Sequence, residues 1–209
     1  MRLIAIPFAL SLTLAASGCT AISALGEASR PLEIYELRTP AAAPAATRRR
    51  DIEVVVEEPM ASGALATERI MIRPGPLQAQ YLPGVRWADP APVMLQTLIL
   101  RSLTESGALS SVGRRPLGTA GDYAVLSELT DFHAETADGA DGATVRLRLI
   151  VRLVRERDAR VIGTRTFSAT QQAASTEADA VVAAFDQASS QLLSEVTSWI
   201  LSQLVISPT

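Results

Sequence analysis

The chain has 209 residues and a formal net charge of −3 at pH 7, and apolar residues make up 48% of it. This length and apolar content suffice for one domain of ordinary size with a hydrophobic core. Because neutralising a nucleic-acid backbone requires a basic face, the slightly acidic balance excludes nucleic acid as an expected partner.

Residues 1–18 have the three parts of an export signal. Arg2 supplies the positive start, an apolar run follows to about Ala16, and small residues precede Cys19. Cys19 is the only cysteine in the chain. A signal that ends on cysteine resembles the lipobox of bacterial lipoproteins, which implies cleavage after Gly18 and attachment of a lipid to the Cys19 thiol.

The residue after Cys19 is Thr20. In lipoproteins an aspartate there is the familiar inner-membrane retention signal, so the resemblance implies the outer membrane, with the domain facing the periplasm. The alternative is an ordinary secretory signal that leaves Cys19 as a small core residue or a free thiol. A free thiol would be a liability in an oxidising compartment, which favours the lipid anchor.

Residues 20–32 mix small residues with a glycine and a proline and show no sustained periodicity, which indicates a tether. These positions span at most about 45 Å when fully extended. No other apolar stretch approaches the roughly 18–20 residues that a spanning helix needs, so membrane attachment is expected through Cys19 alone. We therefore expect a signal peptide at 1–18, a lipidated N-terminus and tether at 19–32, and one folded domain at 33–209.

Strand patterns dominate the first part of the predicted domain. Alternating or β-branched residues predict strands at 33–38, 51–58 and 69–73. The Ala/Pro-rich stretch 39–50 predicts a loop. Proline and glycine punctuate 74–92 too often for a helix or a long strand.

Two amphipathic helices are predicted. The first covers about 91–106, with Asp89 as N-cap, Pro90 at the first position and Gly107 after its end. The second begins at about Thr176. Their apolar stripes are Met94, Leu95, Leu98, Ile99 and Leu103 in the first, and Val181, Phe185, Ala188, Leu192, Val196 and Trp199 in the second.

Between the helices, three strands are predicted at 123–136, 144–156 and 160–170, with hairpin turns at 138–142 and 157–159. The middle strand alternates between apolar residues and arginines, which is typical of an antiparallel sheet with one buried face. The simplest packing is a two-layer α+β domain, in which both helices cover one face of a mostly antiparallel sheet.

The residues offer little chemistry for catalysis. His133 is the only histidine, and we expect it to face solvent on its strand rather than to act with Asp131. Glu135, Asp138 and Asp141 surround the hairpin turn, where calcium is conceivable, but turn chemistry alone explains both aspartates. We expect no catalytic residues, no metal site and no cofactor beyond a covalent lipid on Cys19.

Two patterns are candidates for partner contact. The first is the segment 81–89, where Tyr81, Arg86 and Trp87 lie among prolines, because aromatic residues and arginine are enriched at interfaces. Trp87 could equally fill the core beneath the first helix. The second is the row formed by Arg146, Arg148 and Arg152. That row could meet an acidic partner or lipid headgroups, or it could be a solvated sheet face.

Several segments together resemble the ABC-type transport auxiliary lipoproteins. They are the N-terminal lipobox, IYELRTP, RIMIRP, QYLPGVRWADPAPVMLQTLILRSLTESG, LTDFHAE and the closing AVVAAFDQASSQLLSEVTSWI. The resemblance implies a lipoprotein anchored in the outer membrane that works with an MCE-domain periplasmic protein, an inner-membrane permease and an ATPase to move lipids between membranes. It brings no catalytic residues, since another subunit hydrolyses ATP.

Three alternatives stay open. A structural envelope lipoprotein, such as a secretin pilot or a cell-wall synthase activator, would have the same anchor without lipid traffic. A lipid carrier would need an apolar cavity between the sheet and the helices. A neighbouring copy of this chain is a further candidate partner for the segment 81–89.

Overall fold

A computed structural model describes residues 31–40, 49–115, 121–136 and 141–206. The folded domain is the unit Ile34–Thr209, which is separate from Met1–Glu33. Cys19 and the predicted signal and tether up to residue 30 lie outside the described residues. The strands are β1 (Glu33–Tyr35), β2 (Arg50–Val56), β3 (Met60–Ala61), β4 (Met71–Arg73), β5 (Gln80–Tyr81), β6 (Val85–Trp87), β7 (Leu109–Gly113), β8 (Tyr123–Thr136), β9 (Ala143–Arg155) and β10 (Arg160–Ala173). The helices are α1 (Ala91–Glu105) and α2 (Ala178–Ile206).

The main sheet is built on three long antiparallel strands, β8, β9 and β10. Residue pairs run from Tyr123↔Arg155 to Thr136↔Ala143 between β8 and β9, so the predicted hairpin is confirmed, although residues 137–140 of its turn lie outside the described part. On the other side of β8, the strands β2, β3 and β4 follow one another along the same edge, all parallel to β8. β7 extends the sheet beyond β2, also in parallel.

Both helices cover one face of this sheet, as the sequence predicts. α2 packs on β9 and β10, and α1 packs on β2, β7 and α2. The predicted apolar stripes of both helices are buried in one core with the inward-facing residues of β9, which are Val145, Leu147, Leu149, Val151 and Leu153. Arg146, Arg148 and Arg152 lie exposed on the opposite face. We call the opposite face, which the helices leave uncovered, the open face. The α+β class is therefore confirmed.

The sheet is more mixed than predicted. The long ladders are antiparallel, but β2, β3, β4 and β7 all join in parallel. The prediction of a mostly antiparallel sheet holds for the hairpin strands only, because alternation along a strand reports which face is buried and not which strand lies alongside. The short strands β3, β5, β6 and β7 were not predicted.

The start of α1 also differs from the prediction. Pro90, with φ −52° and ψ 139°, occupies the cap position, and no side chain caps the helix, so the prediction of Asp89 as N-cap is wrong. The C-terminal end of α1 agrees with the prediction. Gly107 follows the helix with φ +65°, a left-handed conformation that favours glycine.

Candidate partner-binding surface

The segment 81–89 is a rigid part of the fold rather than an irregular loop. β5 pairs with β4, and Gly84 turns the chain with φ +75° before β6. The Leu82 amide donates to the Ile70 carbonyl (2.9 Å), and the Trp87 amide donates to the Glu68 carbonyl (2.6 Å). Backbone hydrogen bonds therefore hold this segment at both ends.

Tyr81 is half-buried, and two neighbours fix its ring. Its hydroxyl donates to the Ala64 carbonyl (3.2 Å). The Arg69 guanidinium carbon lies 4.3 Å from the ring centroid, a cation–π geometry. Arg69 comes from the chain just before β4, and only the hairpin brings it to Tyr81.

Arg86 is held in a similar way. Its Nη1 lies 2.6 Å from Glu68 Oε2 and also donates to the carbonyl of Trp87 at 3.2 Å. The side chain keeps 29% of its surface exposed. The guanidinium is thus pre-oriented, and it retains donors that a partner carboxylate or carbonyl could accept. The sequence analysis did not identify Glu68 or Arg69 as supporting residues, because nothing local links 68–69 to 81–86.

Trp87 belongs to the core. Its side chain has no exposed surface, and its ring lies 5.9 Å from that of Phe132 and 5.3 Å from that of Phe185. The prediction that Trp87 contacts a partner is therefore wrong for this conformation, and the core alternative holds. The reason is the period of β6. Val85 and Trp87 point inward, which turns Arg86 between them outward.

We call the remaining accessible residues the Tyr81 surface: Tyr81, Leu82, Pro83, Gly84 and Arg86. Pro83 and Gly84 are exposed, and the other three are half-buried. The surface combines an amphipathic aromatic ring, apolar side chains and one fixed cation. Rigid aromatic and arginine groups of this kind lose little conformational entropy on binding.

Tyr35 lies beside this surface. β1 and β6 form a separate two-stranded sheet, and the Ala88 amide donates to the Tyr35 carbonyl (2.9 Å). α2 holds the same segment, since the Tyr35 hydroxyl donates to Asp179 (2.6 Å) and the Arg38 amide and guanidinium both bind Asp186. The chain therefore enters the domain at a fixed point next to β6.

The open face carries charged side chains of both signs. Arg146 Nε donates to Glu135 Oε2 (2.7 Å), and this bond is the main reason that the pKa of Glu135 lies below its ordinary value. Arg148 and Arg152 are exposed. The arginine row therefore exists as predicted, although its contact with a partner stays a prediction.

His133 does not face solvent as predicted, because its side chain is only 3% exposed. It lies on the open face of the sheet but is enclosed there by charged neighbours on its own strand and on β4. The sequence showed which face His133 occupies and not what covers it.

The described residues show no grouping of three or more histidine, cysteine, aspartate or glutamate side chains that could hold a metal ion. Asp141 is described and exposed, while Asp138 lies outside the described part of the chain. Within the described ranges, no helix combines the length and hydropathy of a membrane span.

A family model described as the ABC-type transport auxiliary lipoprotein component matches residues 35–197. The chain belongs to this family. The match contains the Tyr81 surface, α1 and the first two thirds of α2. The family places the protein among the accessory lipoproteins of ABC-type transport.

Solved structures share this fold. A protein from Xanthomonas campestris is similar with a TM-score of 0.75 and 29% identity, over 82% of this chain and 96% of its own. A hypothetical protein from Chlamydia trachomatis matches with a TM-score of 0.53 and 12% identity, over 76% of this chain and 100% of its own, which supports the fold alone.

A curated relative is an uncharacterised protein of Bradyrhizobium diazoefficiens, 28% identical over 173 residues. The match covers 79% of this chain and 44% of the relative, so the chain spans less than half the length of the curated protein it matches.

Proposed function

We propose that the protein is the outer-membrane lipoprotein of an MCE-type ABC transport system that moves lipids between the inner and outer membranes. Its role is docking rather than catalysis. Cys19 carries the lipid anchor, and the Tyr81 surface binds the MCE-domain periplasmic protein. The inner-membrane permease of the system moves the lipid, and its ATPase supplies the energy.

Membership in the family of auxiliary lipoproteins is the observation that carries this proposal. An auxiliary component acts by contact with the other components of its system, so it needs a membrane attachment and a binding surface. Cys19 directly follows a signal-like segment, which supports the first requirement. The rigid, partly exposed Tyr81 surface supports the second.

The position of β1 supports separate roles for the lipid anchor and the Tyr81 surface. Since Tyr35 bonds to Ala88 directly after β6, the segment that follows the predicted tether is held beside the Tyr81 surface. A tether of this kind reaches at most about 45 Å. We therefore expect the partner to meet the domain close to the outer membrane rather than deep in the periplasm.

The first experiment is a pull-down from detergent-solubilised membranes with a C-terminally tagged chain. We expect mass spectrometry to identify an MCE-domain protein, a permease and an ATPase among the captured proteins. Recovery of secretin or cell-wall synthase components in their place would replace the proposal with a structural envelope role.

The second experiment separates the arginine charge from its ion pair. Arg86→Ala removes both, whereas Glu68→Gln removes the ion pair and keeps the cation. Hot-spot truncations typically cost about 2 kcal/mol or more, roughly a thirtyfold loss of affinity. We expect this loss for Arg86→Ala with the MCE-domain protein and a clearly smaller loss for Glu68→Gln, which keeps the cation but loosens its orientation.

Arg101→Ala is the matched control, because it removes an exposed arginine from α1, outside both candidate surfaces. Breaking the partly exposed Arg86–Glu68 pair should cost only about 0–1 kcal/mol of folding stability. Melting temperatures of all three variants should therefore stay close to that of the wild type. Equal loss of binding in Arg86→Ala and Arg101→Ala would show that the Tyr81 surface has no special role.

A further inference from the structure

His133 is the single histidine of the chain, and it is buried among charged groups. Its Nε2 lies 3.5 Å from Glu135 Oε1, and its Nδ1 lies 4.0 Å from Asp131 Oδ1. Both distances are too long for strong hydrogen bonds. The imidazole is therefore removed from water, and the two carboxylates near it make no strong hydrogen bond to its nitrogens.

Charged side chains from three strands surround this ring. Asp131 and Glu135 come from β8, and Arg146 lies directly opposite His133 on β9. Arg73 of β4 pairs in register with Glu135, which puts it on the same face, and its Nε is buried without a hydrogen-bond partner. Two arginines thus flank the ring together with two carboxylates.

The cluster lies where the β4–β5 hairpin joins the sheet. β4 is held to β8 by the register pairs Ile72↔Ala134 and Arg73↔Glu135, both within two residues of His133. β5 is held to β4 by two further pairs. This short ladder also positions Tyr81, the last residue of β5.

We propose that His133 is a pH-sensitive latch: its protonation loosens the β4–β5 hairpin from β8 and thereby disorders the Tyr81 surface. A cation formed at this site would be buried beside the Arg73 guanidinium. Opening the hairpin separates the two charges and admits water to the imidazolium. A groove of about 670 Å³, lined by Arg73 and Glu135 among others, gives solvent access to the edge of the cluster.

The pKa of His133 agrees with a hairpin that opens on protonation. We call the structure with β4 paired to β8 the closed state. Burial is the main cause that lowers the pKa of His133 below its ordinary value of 6.5, and the charge of Arg73 is the second. Glu135 and Asp131 raise this pKa, but their effects are weaker. A lowered pKa in the closed state means that the open state binds the proton more tightly. The latch therefore holds at pH values above about 6.5 and weakens as pH falls through and below that value.

A pH range of 7.5 to 5.5 isolates this group. Histidine is the only side chain whose ordinary pKa lies there. Glu135, whose pKa is lowered chiefly by its hydrogen bond from Arg146, stays ionised throughout. The inference about the latch concerns the domain alone, and only its consequence for binding rests on the proposed function.

The first test is an NMR titration of the single histidine in the mature full-length chain, prepared as Cys19→Ala with a tag that contains no histidine. We expect a midpoint below 6.5. Arg73→Gln should move the midpoint up, and Glu135→Gln should move it down. A wild-type midpoint at or above 6.5, or variants that leave it unmoved, would overturn the latch.

The second test is amide hydrogen exchange at pH 7.5 and 5.5, corrected for the intrinsic pH dependence of exchange. Protection of the Leu82 amide, which bonds across the hairpin to Ile70, should fall at pH 5.5 in the wild type and stay constant in His133→Gln. The Phe167 amide in β10 serves as the internal control. An equal fall in His133→Gln would refute the role of His133, whereas failure to bind an MCE-domain protein at either pH would count only against the proposed function.

Discussion

Replacing Trp87 tests the packing at the centre of the domain. Trp87 is fully buried, and its ring meets Phe132 of β8 and Phe185 of α2, which lie 5.0 Å from each other. The indole therefore joins the sheet, the β1–β6 pair and the long helix. Trp87→Ala would leave a large cavity that three separate elements cannot close together.

We expect Trp87→Ala to lower the free energy of unfolding by about 3–5 kcal/mol, the usual cost of a fully buried Trp or Phe truncation. Part of that cost is the loss of edge-to-face contact with Phe185, where the ring planes meet at 81°. For a domain of this size, 1 kcal/mol shifts the melting temperature by about 2–4 °C, so the expected decrease is roughly 6–20 °C.

Circular dichroism, with heat and urea as denaturants, measures this effect. Trp87→Phe is the matched control, since Nε1 of Trp87 has no hydrogen-bond partner among the described residues and phenylalanine keeps an aromatic ring in the site. We expect a clearly smaller loss for Trp87→Phe and unchanged binding of the partner. A melting temperature of Trp87→Ala within about 2 °C of the wild type would refute the packing argument.

Two further predictions concern the ends of the chain. Trp199→Ala should cost about 3–5 kcal/mol of stability in urea unfolding, because the indole packs edge-on against Phe167 at 5.7 Å and lies over Gly163; an unchanged midpoint would show that the α2 stripe does not face this core. Cys19→Ala should abolish lipid attachment and leave the melting temperature unchanged, because Cys19 is the only thiol of the chain. Mass spectrometry of the wild-type mature protein checks this, and an N-terminus that carries an unmodified Cys19 would contradict the anchor.

Periodicity along the chain was enough to predict the long elements. The spacing of apolar residues by threes and fours predicted α2 with its buried face, and strict alternation predicted β9 with its exposed arginines. Both patterns work because a helix or strand that buries one face must repeat apolar residues at its own period. The resemblance carried by the quoted segments predicted the family as well.

Strand order was not predictable in this way. The neighbours of β8 on its second edge, β2, β3 and β4, come from 54–73, far away in sequence. Their own patterns record a buried face but carry no information about direction or partner. Short strands of two or three residues, such as β3, β5 and β6, are too brief to show a period at all.

The sequence by itself determined which side of each long element is apolar, and it marked Cys19 as the expected anchor. Only the tertiary structure decided the surroundings of Trp87 and His133, which come from distant segments: the Trp87 ring packs against Phe185 of α2, and the charge of Arg73 from β4 acts on His133. It also supplied Glu68 and Arg69 as the supports of the Tyr81 surface. The physical reason is the distance along the chain over which each effect acts. Periodicity reflects neighbours within a few residues or helical turns, whereas the burial and electrostatic surroundings of a side chain depend on which remote part of the chain packs against it.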